Sequence, residues 1–118
     1  MSFARKNLGY DGEKLAADYL EKQNYKILAR NVRYKQGEID ILAQDKKQIV
    51  LVEVKTKTIF DQGTPEEMVN FFKQRKLCLL GKVLLQKYPG RQIRSDVVAV
   101  DLCTDRPAIN HIIDAVNC

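Results

Sequence analysis

The stretch that decides the fold is residues 37–57, which reads GEIDILAQDKKQIVLVEVKTK. Two runs rich in isoleucine, leucine and valine flank a polar turn at residues 45–47, and this pattern predicts an antiparallel β-hairpin with strands at 38–44 and 48–57. Residues 49–52, IVLV, are continuously apolar. Such a run is typical of a strand buried on both faces, so we expect the second strand to lie in the centre of a sheet.

The segments on either side of the hairpin complete the predicted fold. Helical spacing of apolar residues predicts an amphipathic helix over 9–23, and residues 25–34 predict an edge strand. Residues 64–67, TPEE, have the composition of a helix start, with Asn70 as a second cap, and a helical pattern continues over 71–88. Strands are expected at 94–102 and 109–116. We therefore predict one α/β (α+β) domain over 1–118, with a central mixed β-sheet of about five strands flanked by helices.

Composition limits the classes of protein that this chain can belong to. The 118 residues are enough for one hydrophobic core, and 45% hydrophobic with 30% charged residues is typical of a soluble globular protein. No apolar stretch approaches the roughly 20 residues of a membrane span, and no secretion signal is recognised at the N-terminus. The three cysteines form no CxxC pair, so we expect a reducing cytoplasm, with Cys78 and Cys103 as small core residues.

The hairpin also carries the candidate catalytic residues. Side chains alternate along a strand, so Glu53 and Lys55 should project from one face, and Asp40 on the partner strand can come alongside them. These groups lie among apolar residues, where buried charge is costly unless a bound ion compensates for it. Carboxylates suit Mg²⁺ (or Mn²⁺), while Lys55 could orient or deprotonate a water, or neutralise charge on a phosphate. A salt-bridged pair of strands is the simpler alternative.

Glu13 and His111 are two further candidate site residues. Glu13 lies on the flank of the apolar stripe of the first helix, so we expect it to face the sheet as an additional metal-site carboxylate. Compensation of the helix dipole is the alternative role for Glu13. His111 is the single histidine and falls in a predicted edge strand, which favours a structural role. The chain has no GxxxxGK[ST] loop, no GxGxxG turn and no HExxH helix, so those enzyme classes are excluded.

Several short motifs occur in an order that resembles a known family. They are GxxGE at 9–13, RNxR at 30–33, GEID at 37–40, VEVKTK at 52–57, GxPEE at 63–67 and SDVV at 95–98. In this order they resemble the YraN-type family of uncharacterised bacterial proteins. That family is similar to the Holliday-junction resolvases and belongs to the restriction endonuclease-like PD-(D/E)xK superfamily. The resemblance implies that Asp40 and Glu53 are metal ligands, Lys55 is the catalytic lysine and Glu13 is the extra helical carboxylate. Ile39 stands where the superfamily motif has proline.

A net charge of +5 suits an anionic partner where basic residues cluster. The candidate DNA-binding residues are Lys73, Arg75 and Lys76 near the start of the long helix, and Arg30, Arg33 and Lys57 on the strands. A solvated helix face is the alternative for the first three. Because no aromatic residues interleave with the basic ones, duplex or branched DNA is favoured over single strands.

The predicted function is therefore a Mg²⁺-dependent endonuclease that hydrolyses phosphodiesters of DNA. Two alternatives use the same fold without catalysis. One is a catalytically silent nucleic-acid-binding module, and the other is an interaction subunit of a DNA-processing complex. A homodimer would suit the cutting of two strands, although the sequence shows no diagnostic interface.

Overall fold

The computed structural model describes residues 11–61, 71–116 and 118. These residues form helices α1 (Gly12–Lys22) and α2 (Phe71–Lys87), and strands β1 (Lys26–Tyr34), β2 (Gly37–Asp45), β3 (Gln48–Lys57), β4 (Ile93–Asp101) and β5 (Ala108–Ile112). The predicted α+β architecture with a five-stranded mixed sheet is confirmed. The expected helix start at 64–67 and the cap at Asn70 lie outside the described residues, as do positions 9 and 10 of the predicted first helix.

The sheet has the strand order β1-β2-β3-β4-β5, which places β3 in the centre as its apolar sequence predicts. The β1–β2 and β2–β3 pairs are antiparallel, β3 and β4 are parallel, and β5 returns antiparallel to β4. A parallel pair needs a long crossover, and here the connection between β3 and β4 contains α2. The carboxyl ends of β3 and β4 consequently lie at the same edge of the sheet.

Each helix covers one face of the sheet. Helix α1 begins at the N-cap Asp11, whose side chain accepts hydrogen bonds from the backbone N–H groups of Glu13 (3.0 Å) and Lys14 (3.2 Å). Its buried residues pack on the face that carries the valines of β3 and β4; the members on α1 are Ala16, Ala17 and Leu20. The opposite face packs against the leucines of α2, namely Leu77, Leu80 and Leu84. The central strand is thus buried on both sides.

The last strand is shorter than the sequence predicts. We expected β5 to run over 109–116, but it ends at Ile112 because a turn follows, in which Asp114 adopts a left-handed φ of 54°. After the turn the backbone N–H of Ala115 donates to the carbonyl of Ser95 (2.7 Å), which holds the chain against β4. Val116 then packs into the core on the α2 side, so its apolar character reports burial rather than a strand.

The cysteine prediction is wrong for Cys78. Cys78 forms a disulfide with Cys118, which joins α2 to residue 118 across 40 positions of sequence, whereas Cys103 is free. The distance in sequence explains the error, because spacing alone does not identify which cysteines meet in space. The cysteines therefore no longer support the expectation of a reducing compartment. Within the described residues, no helix combines the length and apolar character that crossing a membrane requires.

Candidate functional site

The candidate site begins where the β2–β3 ladder opens. The paired positions run from Asp45 opposite Gln48 to Ile41 opposite Val52, and the ladder stops there. At the next position, Oδ2 of Asp40 accepts a hydrogen bond from the backbone N–H of Val54 (2.9 Å). A side-chain carboxylate therefore takes the place of a main-chain carbonyl, and it attaches Asp40 to the segment of β3 that carries the other candidate residues.

The direction of the side chains along β2 changes at the same point. Ile41 packs with the cluster on the α1 face, whereas Ile39 packs with the cluster on the α2 face. Residues two apart on a regular strand share a face, so the pleat is interrupted at Asp40. On the neighbouring strand Asn31 has a left-handed φ of 55°. These irregularities coincide with the end of the ladder and explain why Asp40 can turn its carboxylate towards the backbone of β3.

Glu53 and Lys55 occupy alternate positions of β3 and meet on one face. Val52 and Val54 belong to the cluster beneath α1, which leaves Glu53 and Lys55 on the side of α2. The side chain of Glu53 is only 6% exposed, and its Oε1 lies 3.5 Å from Nζ of Lys55. The side chains that the alternation pattern brings together are therefore in contact in the structure.

A second lysine reaches the same carboxylate. Nζ of Lys73, in the first part of α2, lies 3.1 Å from Oε1 of Glu53, closer than Lys55 does. Lys73 was predicted to contact DNA, and this ion pair was not predicted. The signal was present in the helix spacing, because positions 73, 77, 80 and 84 follow one helical face and the last three are buried leucines. A lysine at the head of a core-facing stripe points towards the sheet.

The charges in this cluster shift one another's proton affinity. Burial, with the nearby negative charges of Glu53 and Glu13, raises the pKa of Asp40 to about 6, against the opposing effects of the Val54 hydrogen bond and Lys73. Burial and the adjacent Lys73 ammonium lower the pKa of Lys55, although Glu53 opposes this change. Burial also tends to lower the pKa of Lys73, but its contacts with Lys55 and Glu53 outweigh burial and raise that pKa.

Glu13 lies in the first turn of α1, and its negative charge contributes to the raised pKa of Asp40. Its Oε1 is buried without a hydrogen-bond partner and lies 3.5 Å from Nη2 of Arg30. Arg30 is also 3.8 Å from Asp11, so this predicted DNA-binding residue is engaged by two acids at the start of α1. A buried carboxylate oxygen without a hydrogen bond is costly, and the positive charge of Arg30 offsets part of this cost.

The donor set can be compared with what a divalent ion requires. Within residues 11–61, 71–116 and 118, no three acidic, histidine or cysteine side chains gather closely enough to form a metal-binding group on their own. Mg²⁺ is commonly held by one or two carboxylates and completes its shell with water. Asp40 and Glu53 fit that requirement, and the crowding of negative charge around Asp40 would be relieved by a cation. A role of Glu13 as a metal ligand stays a prediction.

The other predicted DNA-binding residues lie on β1, β3 and α2. Arg33 is 83% exposed and pairs with Glu38 at 3.0 Å. Arg75 and Lys76 are exposed on α2, and the Lys76 side chain passes so closely over Gly37 that a Cβ there would collide with it. Lys57 lies at the end of β3, paired in register with Asp101. Lys57 thus continues the β3 positions that carry Glu53 and Lys55, while Lys76 and Arg33 lie beside the first residues of β2.

A separate polar cluster, which was not predicted from the sequence, surrounds Asp96. Asp96 is fully buried on β4 and accepts hydrogen bonds from Arg94 Nε (2.9 Å), the Tyr25 hydroxyl (3.2 Å) and the backbone N–H of Asp114 (3.0 Å). Nε2 of His111 lies 2.7 Å from Asp96, so that nitrogen carries the proton donated to the carboxylate. The contact between β4 and β5 agrees with the structural role predicted for His111.

The sequence matches a known protein family. The family model for "Uncharacterised protein family UPF0102" matches residues 12–100, well over half of the chain. The chain belongs to this family. UPF0102 is the family that the YraN-type motifs indicated. A UPF0102 protein of Geobacter metallireducens is 45% identical over 119 residues, covering 98% of this chain and 96% of its own length. A UPF0102 protein of Caldanaerobacter subterraneus is 42% identical over 116 residues, covering 94% and 95%.

Among solved structures, a chain of the EndoMS–dsDNA2 complex matches this UPF0102 protein with a TM-score of 0.44 and 19% identity. The match covers 73% of this chain and 35% of that chain, so this chain spans about a third of its length. A likeness at this level is too low to support a shared function.

Proposed function

We propose that this UPF0102 protein is a divalent-metal-dependent nuclease that hydrolyses phosphodiesters of duplex or branched DNA. The observation that carries the proposal is the hydrogen bond between Asp40 and the backbone N–H of Val54, the residue between Glu53 and Lys55. It brings an acid of β2 to the segment of β3 where a buried glutamate and a lysine share one face. Two carboxylates and a lysine in a half-buried cluster are the groups that metal-assisted phosphodiester hydrolysis uses.

In this proposal Asp40 and Glu53 hold Mg²⁺ or Mn²⁺. When bound, such an ion supplies a water of lowered pKa and neutralises negative charge on the phosphate. Lys55 orients the attacking water, or donates to a phosphate oxygen as charge develops there. The apolar surroundings of β3 strengthen these interactions by limiting the access of bulk water. Glu13 adds negative charge beside Asp40 and so favours a cation at this position.

Basic residues on the strands and on α2 support a nucleic-acid substrate. Lys57 on β3, Lys76 on α2 and the exposed Arg33 on β1 are the positive charges that we propose to contact the phosphate backbone. Positive charge of this kind positions a phosphate backbone and carries no base specificity. Branched DNA is included because the YraN-type motifs resemble those of Holliday-junction resolvases. A cytoplasmic location and a homodimer are expectations that accompany this proposal.

The test is cleavage of linear, flapped and four-way-junction DNA by purified protein with Mg²⁺ or Mn²⁺. We expect Asp40→Asn and Lys55→Ala each to reduce cleavage by about 100-fold or more, the usual effect of removing a group that acts in the chemical step. Matched controls are Asp18→Asn, at a half-exposed position of α1, and Lys26→Ala, at an exposed position of β1. These controls should cleave as the wild type does.

The outcomes separate the proposal from its alternatives. Cleavage that survives both Asp40→Asn and Lys55→Ala would identify a contaminant. Binding of the same DNA without cleavage under any metal condition would favour a catalytically silent nucleic-acid-binding module. Absence of both binding and cleavage would favour an interaction subunit, in which the acidic cluster serves structure alone.

A further inference from the structure

Glu53 is neutralised in an unusual way. Its carboxylate is 6% exposed, and one oxygen, Oε1, contacts the ammonium groups of both Lys55 (3.5 Å) and Lys73 (3.1 Å). A single ion pair already compensates a buried carboxylate, so the second lysine adds net positive charge at this oxygen. The nearer of the two comes from α2, an element that carries none of the predicted catalytic acids.

The two lysines differ in how firmly they are held. Lys55 lies within the central strand and its side chain is 17% exposed, whereas the Lys73 side chain is 40% exposed. A lysine with a more exposed side chain returns its ammonium group to water at lower cost than a lysine buried within a strand. Lys73 is therefore the cation that can leave Glu53, and Lys55 is the one that stays.

We propose that Lys73 is an internal competitor of the divalent ion: it occupies Glu53 in the metal-free protein and moves away when Glu53 binds a metal. The inference rests on the proposed function, because it takes Glu53 as a metal ligand. A divalent cation bound to Glu53 repels both ammonium groups, and the nearer and more exposed Lys73 is the one that moves away. Lys73 thus stabilises the buried acid before the ion arrives and weakens the affinity for that ion. Once Lys73 has moved away from Glu53, its ammonium group can face the substrate phosphates.

The test measures Mn²⁺ affinity by isothermal titration calorimetry, without DNA, at one pH. The variants are Lys73→Met and Lys73→Gln, which remove the charge with side chains of similar length. Lys82→Met makes the same change at an exposed position of the same helix and serves as the control. We expect both Lys73 variants to bind Mn²⁺ about tenfold more tightly than the wild type, as expected for loss of one partly screened unit charge near the ion. The control should match the wild type.

Thermal unfolding in EDTA provides a second readout. Removal of Lys73 should lower the melting temperature of the metal-free protein, and saturating Mn²⁺ should raise it by more in the variant than in the wild type. A purely structural ion pair would give the first change without the second. If Lys73→Met does not fold, Lys73→Gln carries the test.

The results distinguish failure of this inference from failure of the proposed function. If the wild type binds Mn²⁺, Glu53→Gln abolishes that binding and the Lys73 variants bind no more tightly than the wild type, the metal site stands and the competition is refuted. If neither the wild type nor the Lys73 variants bind Mn²⁺, the proposed metal site is itself wrong, and the inference is overturned with it.

Discussion

Replacement of Asp40 by asparagine should stabilise the metal-free protein above pH 6. Burial and neighbouring acids raise the pKa of Asp40 to about 6 from an ordinary value of 3.8. Between these two pH values the folded state holds a proton that the unfolded state has released, so stability falls as pH rises from 3.8 to 6. Above pH 6 the folded state bears the full free-energy cost of ionising the Asp40 carboxyl. Asparagine carries no charge, and its side-chain oxygen can still accept the hydrogen bond from Val54.

The magnitude follows from the size of the shift. Two pKa units correspond to about 3 kcal/mol, because each unit is worth about 1.4 kcal/mol. Asp40 is only partly buried, so water screens some of this cost, and we expect Asp40→Asn to gain about 1–2 kcal/mol at pH 7.5. At pH 3.5 wild-type Asp40 is largely protonated, and the difference between the two proteins should nearly vanish.

The assay is urea unfolding followed by circular dichroism, in EDTA, at pH 7.5 and pH 3.5. Asp18→Asn is the matched control, because the Asp18 side chain is half exposed and pairs with Lys14 on α1, so its effect should stay below about 0.5 kcal/mol. A loss of stability in Asp40→Asn at pH 7.5 would refute the reasoning. A gain of equal size at both pH values would also refute it, since the benefit would then not come from the charge.

Three further predictions concern the remainder of the fold. Asp96→Ala should cost about 3–5 kcal/mol in urea unfolding, because it leaves Arg94 and His111 without their buried partner; a loss below 1 kcal/mol would contradict this role. Burial alone would raise the pKa of Asp96, but hydrogen bonds from His111 and Arg94 lower it to about 2. In an acid titration its contribution of about 2 kcal/mol should therefore be complete above pH 3.8 and disappear as pH falls towards 2. Cys78→Ser should cost about 2–4 kcal/mol by removing the disulfide, measured as a shift of the urea midpoint, and an unchanged midpoint would contradict it.

Local patterns were sufficient to predict the sheet. The alternation and apolar run of residues 48–57 place β3 correctly, because a strand buried on both faces leaves a continuous apolar signature. The same alternation predicts that Glu53 and Lys55 share a face. Both inferences depend only on the geometry of one strand and its neighbour. Contacts of this range follow from sequence because the backbone has few regular conformations.

Contacts between distant elements were not predictable in the same way. The Lys73–Glu53 ion pair depends on the position of α2 along the sheet. The disulfide of Cys78 depends on the position of residue 118 relative to α2. The cluster around Asp96 joins Tyr25, which precedes β1, to residues of β4 and β5. None of these follows from periodicity, since periodicity indicates which face of an element is buried but not what lies opposite. Lys73 is the intermediate case, because its position on the leucine stripe indicated its direction but not its partner.

The break in the β2–β3 ladder links the fold to the proposed chemistry. A regular ladder through Asp40 would use the Val54 N–H for a main-chain carbonyl and leave the carboxylate without that donor. With the ladder open, the same N–H fixes one oxygen of Asp40, and the second oxygen is left for another ligand. The fold thus gives up a backbone pairing at this position and maintains a carboxylate whose ionisation is unfavourable without a cation. This local cost is the physical reason to place the metal at Asp40 and Glu53 rather than at the fully satisfied carboxylate of Asp96.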